Sequence, residues 1–498
     1  MSALAENGGT LEQGIRAILG RPEFRHARFG AEFRALDTGQ PIFRMNEQQF
    51  FVPGSTTKLL TEGTALSLLG PDYRFHTRVF RTGSVDANGM LKGNLILVAS
   101  GDPNLSNRLQ PDGTLAFQNI DHSYDSMPGS AVVPGDPLAA IRDLAAQVAK
   151  AGIKRVDGRV IVDVSLFPQG VRELGTGVVI SPIIVNDNVI DLAIAPGAEG
   201  SAPQIKTSPE TAYLRITNQV KTGAAGSKFG IRIVSDVPAS DGSHTVTVSG
   251  TVPAGPSIHR TYRVPEPSVF AQTVLTEALK ELGVAITGNA NSSNSEQRTE
   301  VADHVSAPFR EEVKVTLKVS QNLHASMTPY LLGATVGTDH DHPLQSGFDA
   351  EHKFLQGAGL DVSGASQSDG AGGDAFYTPA FMVEFLVYMS KQPFFSVFYS
   401  ALPTLGKDGT LWDIQQQSPA AGFVHAKTGT YGTADLLNKS LMVTGKGIAG
   451  YIDRKDGRRL AFAAYINMVD GDPETIAHRV GDALGEIAAL AYDAPIEH

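Results

Sequence analysis

The two ends of this chain share a pattern that its middle lacks. Residues 11–19 (LEQGIRAIL) read as a short helix, and 26–36 and 41–45 as two strands turning at Asp37-Thr38-Gly39. An apolar helix follows from Ser55, with Leu59, Leu66 and Leu69 along one side and Gly70 as its stop. From residue 302 helices return. One long amphipathic helix is predicted over 311–337 and another over 378–392, then a hairpin turning at Asp456-Gly457 and a closing helix over 472–493. Between these blocks, residues 76–300 are short β runs and turns, interrupted by two helices at 136–152 and 266–283. Both open on an acidic residue with proline and end at glycine. Residues 289–300 are polar and read as a linker. Helices with antiparallel strands at both ends, separated by a β-rich middle, predict an α+β domain split in sequence by an insertion. A length of 498 residues, too great for one compact core, agrees with that.

Composition removes several classes of function. The chain has no cysteine, so disulfides, thiol catalysis and cysteine-ligated metals are excluded. Its formal net charge is -11, with no basic patch, which argues against nucleic acid as a partner. No apolar run approaches the roughly 20 residues of a membrane span. The opening MSALAENGGTLEQ lacks a basic segment followed by an apolar one, so it is not read as a signal peptide. An exported form would have shed its signal.

The chemistry begins in VPGSTTKLLT, residues 52–61. Ser55 and Lys58 stand three apart, one helical turn, so the amine can face the hydroxyl. A serine hydroxyl is a weak nucleophile without a base, and a lysine can be that base only when neutral. Serine is also a favoured helix cap and lysine a common exposed helix residue, so the pair alone decides nothing. Companions decide it. Serine–lysine acyl hydrolases combine Ser-x-x-Lys with a Ser-x-Asn element and Lys-Thr-Gly. Ser320-Gln321-Asn322 and Lys427-Thr428-Gly429 supply both, in that chain order. Two decoys exist: Ser292-Ser293-Asn294 in the polar linker and Lys221-Thr222-Gly223 inside the β-rich middle. The chosen three all fall in the outer blocks.

With these motifs in view, the chain resembles the class C low-molecular-mass penicillin-binding proteins, the D-alanyl-D-alanine carboxypeptidase/endopeptidase family. The likeness covers nearly the whole chain through PGSTTKLLT, LKGNLILVASGDPNL, SPIIVNDNVIDLAIAPG, LKVSQNLHA, SGASQSDGAGG, LPTLGKDGTL and HAKTGT. It implies a penicillin-recognising domain made of 1–78 and 300–498. It also implies an inserted domain made of 79–166 and 240–299, and a β-rich domain of 167–239 nested within it. It implies that Ser55 is acylated, that Lys58 is its base and that Ser320 relays the proton. Asn322 would bind the substrate amide, and Lys427 and Thr428 the terminal carboxylate. The N–H groups of Ser55 and Thr430 would form the oxyanion hole, and Gly429 belongs to the same docking strand. Peptidoglycan stem peptides are the implied substrate and β-lactams the implied covalent inhibitors, with no cofactor and no metal, in a periplasmic or other extracytoplasmic setting. Three departures stand out. The Ser-Asp-Gly loop continues as Ala371-Gly372-Gly373-Asp374, Ser326 replaces a glutamate common in the family, and the segment after Thr430 is longer than usual.

Other signals carry less. Asp339, His340, Asp341 and His342 alternate as metal ligands can, but read as a solvated loop. Asp408 and Asp369 fit either an active-site loop or a simple turn. The tyrosines and Trp412 read as packing. Two other functions stay open: an esterase, amidase or β-lactamase on the same scaffold, and a non-catalytic cell-wall binding protein.

Overall fold

The computed structural model describes residues 10–125, 127–288 and 297–495. The decoy at Ser292–Asn294 lies outside the described residues, as does the greater part of the linker read at 289–300. The chain forms two compact units. One takes the chain up to Tyr73 and again from Pro308; the other is Arg74–Ala307.

The first unit is built on an antiparallel sheet. Its strand order is Val424–Asp435, Ser440–Asp453, Arg459–Asn467, Arg28–Ala35, Pro41–Met45, with Val469–Gly471 added beside the second. Arg459–Asn467 is buried almost end to end, because both its faces are covered. Leu460, Phe462, Ala464 and Ile466 share a core with Ile15, Val480 and Leu484 from helices Leu11–Leu19 and Ile476–Asp493. On the other face Tyr465 stacks on Phe51, and the hydroxyl of Tyr451 donates to the carbonyl of Leu386 in helix Pro379–Met389.

One expectation is extended here and another corrected. The helix after Ser55 is covered all round, not only along its leucine side. It spans Thr57–Leu69 and is buried on every side from Thr57 to Leu66, because other helices surround it. Leu69 lies nearer its half-buried end. The predicted single helix over 311–337 is two helices, Phe309–Val319 and Asn322–Thr335. Ser320 breaks it in a left-handed conformation (φ 62°), and the Gln321 side chain accepts the N–H of Leu323 to start the second. Apolar periodicity runs through such a break without showing it.

The second unit holds the β-rich middle. Its four-stranded sheet runs Arg298–Val305, His76–Thr82, Leu95–Val98, Val160–Asp163, and a three-stranded sheet runs Leu214–Gly223, His244–Pro253, Gly230–Pro238. Helices Ala139–Lys150 and Pro267–Glu281 contribute Leu144, Val148, Phe270 and Leu275 to a separate apolar core.

Candidate active site

Ser55 sits in a single 3-10 turn, Gly54–Thr56, just ahead of the Thr57–Leu69 helix. The cap alternative fails, since Thr56 and not Ser55 stands at the N-cap of that helix, and no side chain caps it. Ser55 Oγ lies 2.7 Å from the Nζ of Lys58, which is fully buried. The same amine lies 3.2 Å from Ser320 Oγ and donates to Asn322 Oδ1 at 2.6 Å. Lys427, also fully buried, approaches Ser320 Oγ from the other side at 2.8 Å. Ser55, Lys58, Ser320, Asn322 and Lys427 therefore meet in one cluster, although up to 372 positions separate them (427 − 55).

Two glycines bring the remaining pieces in. Gly54 adopts a left-handed φ of 53°, and a Cβ there would stand 2.6 Å from the amide nitrogen of Thr430. A Cβ on Gly429 would stand 2.1 Å from the Pro53 carbonyl and 2.8 Å from the amide nitrogen of Ser55. Only glycine at both positions lets the serine turn lie directly against strand Val424–Asp435. That contact sets the Ser55 turn against the strand at Gly429 and Thr430. Thr428 Oγ1 donates to Thr410 Oγ1 at 2.7 Å, and Lys446 Nζ donates to Thr430 Oγ1 at 2.7 Å.

The electrostatics follow from burial. Lys427 has its pKa pushed well below the ordinary lysine value, first by burial and then by the charge of Lys58. Lys446 is brought down to about 8, chiefly by burial. Glu62, one turn beyond Lys58, is fully buried and raised to about 8, first by burial and then by Glu312. Its Oε1 accepts from Thr328 Oγ1, and nearby His324 pairs with Glu312 at 2.9 Å.

Several partners escaped the sequence reading. Asp408 is more than a simple turn. Both its oxygens accept from Lys318 Nζ at 2.7 Å, and Oδ1 also accepts the Thr404 N–H. This pins the Gly409–Leu411 turn that carries Thr410. The Asp369 carboxylate accepts the N–H groups of Ala371, Gly372 and Gly373, and Ser326 donates to it at 2.7 Å. Ser326 thus ties its helix to the loop in which the family pattern is altered. Trp412 is 37% exposed and is not core packing. Thr410 and Asp408 stood in a quoted motif, LPTLGKDGTL, whereas Lys446 had no local signal.

Among the described residues, no group of His, Asp and Glu able to hold a metal is found at this cluster. Lys221-Thr222-Gly223 ends a strand of the second unit, where Thr222 accepts the Gly197 N–H. His342 pairs with Asp339 in an exposed loop. Asp121, His122 and Asp187, in the second unit, could together hold an ion. Arg108 already donates to both carboxylates, at 2.5 and 2.7 Å, and His122 bridges Asp187 to Asp191. Protein cations fill that place.

An antiparallel sheet covered by helices on both faces, with a serine and a lysine one turn apart beside its edge strand, is the fold of the penicillin-recognising serine enzymes. Within that class the chain belongs to the D-Ala-D-Ala carboxypeptidase 3 (S13) family, whose family model matches residues 11–485. It is 27% identical over 522 residues to a D-alanyl-D-alanine carboxypeptidase of Actinomadura sp. (strain R39), covering 98% of this chain and 87% of the relative. Penicillin binding protein 4 from Haemophilus influenzae superposes with a TM-score of 0.71 at 20% identity, covering 96% of this chain and 98% of that one. The same protein complexed with a novel beta-lactam superposes at 0.68 and 19% identity, with the same coverage. At those identities the two structures speak to the fold alone. Among the described residues, no helix is long and apolar enough to cross a membrane.

Proposed function

We propose that this protein is a serine-type D-alanyl-D-alanine carboxypeptidase/endopeptidase, acting on peptidoglycan stem peptides outside the cytoplasm through an acyl-enzyme on Ser55. The observation that carries the reading is the unbroken run Ser55 Oγ, Lys58 Nζ, Ser320 Oγ, Lys427 Nζ, with steps of 2.7, 3.2 and 2.8 Å. Ser55 Oγ attacks the carbonyl carbon of the penultimate D-alanine, and its proton passes to a neutral Lys58. The amides of Ser55 and Thr430 receive the oxyanion. Asn322 spends its carbonyl oxygen on Lys58, so its N–H groups face the substrate amide. Lys427 and Thr428 hold the terminal carboxylate, and Gly429 and Thr430 belong to the strand edge along which the peptide lies. The leaving nitrogen takes its proton through Ser320, the C–N bond breaks and D-alanine departs. Water then hydrolyses the ester, with Lys58 again as base. β-Lactams enter by the same attack and leave slowly.

Intact-mass measurement tests this. A mass increase equal to one penicillin on the wild type, absent in Ser55→Ala, together with release of D-alanine from a stem pentapeptide, is expected. Rapid nitrocefin turnover without a stable adduct would make it a β-lactamase instead. Muropeptide binding with no product would make it a binding protein.

We infer further that Arg74–Ala307 contains two domains, 79–166 with 240–299 and a nested 167–239. The pairing of strand Gly230–Pro238 with His244–Pro253 favours carrying the nested piece on through Pro253.

A further inference from the structure

Strand Val424–Asp435 continues past the cluster of reacting groups. Thr430 is the last residue placed at that cluster, yet the strand runs on for five residues, and its partner Ser440–Asp453 runs with it (435 − 430). Residues 430–434 are exposed. The hairpin is closed by Asp435, which accepts the N–H groups of Leu437 and Asn438, so this is a formed ribbon.

The backbone on its open side is oriented by what happens upstream. Leu405 N–H donates to the Val424 carbonyl, and Ala426 N–H donates to the Pro403 carbonyl. Both bonds lie away from the hairpin partner, since Val424–Asp435 is the edge of its sheet. Successive peptide groups of a strand alternate, so those of Thr428, Thr430, Gly432 and Ala434 point the same way. The register slips between Tyr431 and Thr433, but the surplus residue falls on the partner, in Val443 and Thr444 opposite Gly432. The alternation on the edge strand is therefore unbroken. From Thr428 to Ala434 there is no charged side chain and no proline. Those are the features that normally keep an edge strand from pairing.

We propose that Gly432 and Ala434 extend the peptide-docking edge, pairing with the residues of the acyl donor that lie upstream of its D-alanyl-D-alanine end. The inference rests on the function proposed above. There the terminal carboxylate lies at Lys427 and Thr428, and the scissile carbonyl at Ser55 and Thr430. A strand continuing from Thr428 through Thr430 to Ala434 runs antiparallel to such a peptide and along its N-terminal part. The site then takes an extended stem peptide rather than a bare dipeptide.

The test compares two substrates, an N-acetyl-D-alanyl-D-alanine dipeptide and a full stem pentapeptide, on Gly432→Pro and on Ala434→Pro. Each change deletes one outward N–H, and an edge strand tolerates proline. The pentapeptide kcat/KM is expected to fall about three- to tenfold, as for one lost hydrogen bond. The dipeptide kcat/KM and the rate of penicillin labelling should stay at wild-type values, which also certifies the fold. Equal losses on both substrates, or no loss on either, overturn the proposal. The double change Leu436→Ser/Leu437→Ser alters the hairpin tip, where the two leucines are 87% and 89% exposed. A selective pentapeptide loss in that variant alone would also overturn it, by moving the contact to the tip. If the wild type takes penicillin but hydrolyses neither peptide, it is the proposed function that fails.

Discussion

Two amines converge on one oxygen at Ser320. Lys58 and Lys427 lie 3.2 and 2.8 Å from its Oγ, and both are shielded from water. Two full positive charges so close together in a buried site are unfavourable, and burial with the charge of Lys58 pushes Lys427 toward its neutral form. Removing the hydroxyl in Ser320→Ala should cut the rate of penicillin acylation by roughly 10²- to 10⁴-fold, the range for losing a positioned proton-transfer group. Labelling kinetics at a near wild-type rate would remove Ser320 from the relay. Glu62 gives a second prediction at this scale. Its carboxyl is raised from an ordinary 4.5 to about 8, first by burial and then by Glu312. Between those values the folded chain keeps a proton that the unfolded chain has lost. Stability therefore falls as pH rises through that window, by up to about 1.4 kcal/mol per pH unit. Glu62→Gln keeps the shape and abolishes the titration. Its melting temperature should gain on the wild type steadily from pH 5 to pH 8, and parallel curves would mean that Glu62 does not titrate there. Ser55 with Lys58, Ser320 with Asn322 and Lys427 with Thr428 could be read from sequence because each group is local. Lys446 could not, because it meets Thr430 only through cross-strand register.

Elements deliver these side chains through their ends and their contacts. The Ser320 break is one case, and the meeting of the Gly54 turn with the edge strand is another. Alanine at position 54 would force a side chain into φ 53°, costing about 1–2 kcal/mol, and would press its Cβ against the Thr430 amide. Gly54→Ala should slow penicillin acylation at least about tenfold, the equivalent of some 1.4 kcal/mol. Gly457→Ala is the matched control. Its φ is 85° and nothing lies within 4 Å of the added Cβ, so it shares the backbone strain without the collision. Equal acylation by the two variants would show that the contact does not matter. Sequence gave most helices and strands of the outer blocks near their observed bounds, because turns such as Asp37–Gly39 and Asp456-Gly457 mark them locally. It missed the all-round burial of Thr57–Leu66 and the break at Ser320. Both depend on neighbours: helices that cover every face in the first case, and a side-chain cap competing with the helix in the second.

At the scale of the molecule, the chain leaves the first unit at Tyr73 and returns at Pro308. The two crossings are adjacent. Phe309 N–H donates to the Tyr73 carbonyl at 2.8 Å, and Arg310 N–H donates to the Pro71 carbonyl at 3.0 Å. A break of 234 residues in sequence (307 − 74 + 1) is thus a short gap in space. The buried apolar clusters of the described residues are separate as well: one runs from Leu11 to Phe43 and from Leu405 to Tyr492, the other from Val79 to Ala302. Every residue assigned to the reaction belongs to the first unit. Replacing Arg74–Ala307 with a short glycine–serine linker closes a small loop, and loop closure depends only weakly on length. The shortened protein should fold with a single cooperative transition and still be labelled by penicillin at Ser55. Turnover of long stem peptides is the property free to change. Labelling lost despite a cooperative melt would mean that the β-rich unit supplies part of the acylation site. Loss of the melt itself would mean that the first unit needs the second in order to fold.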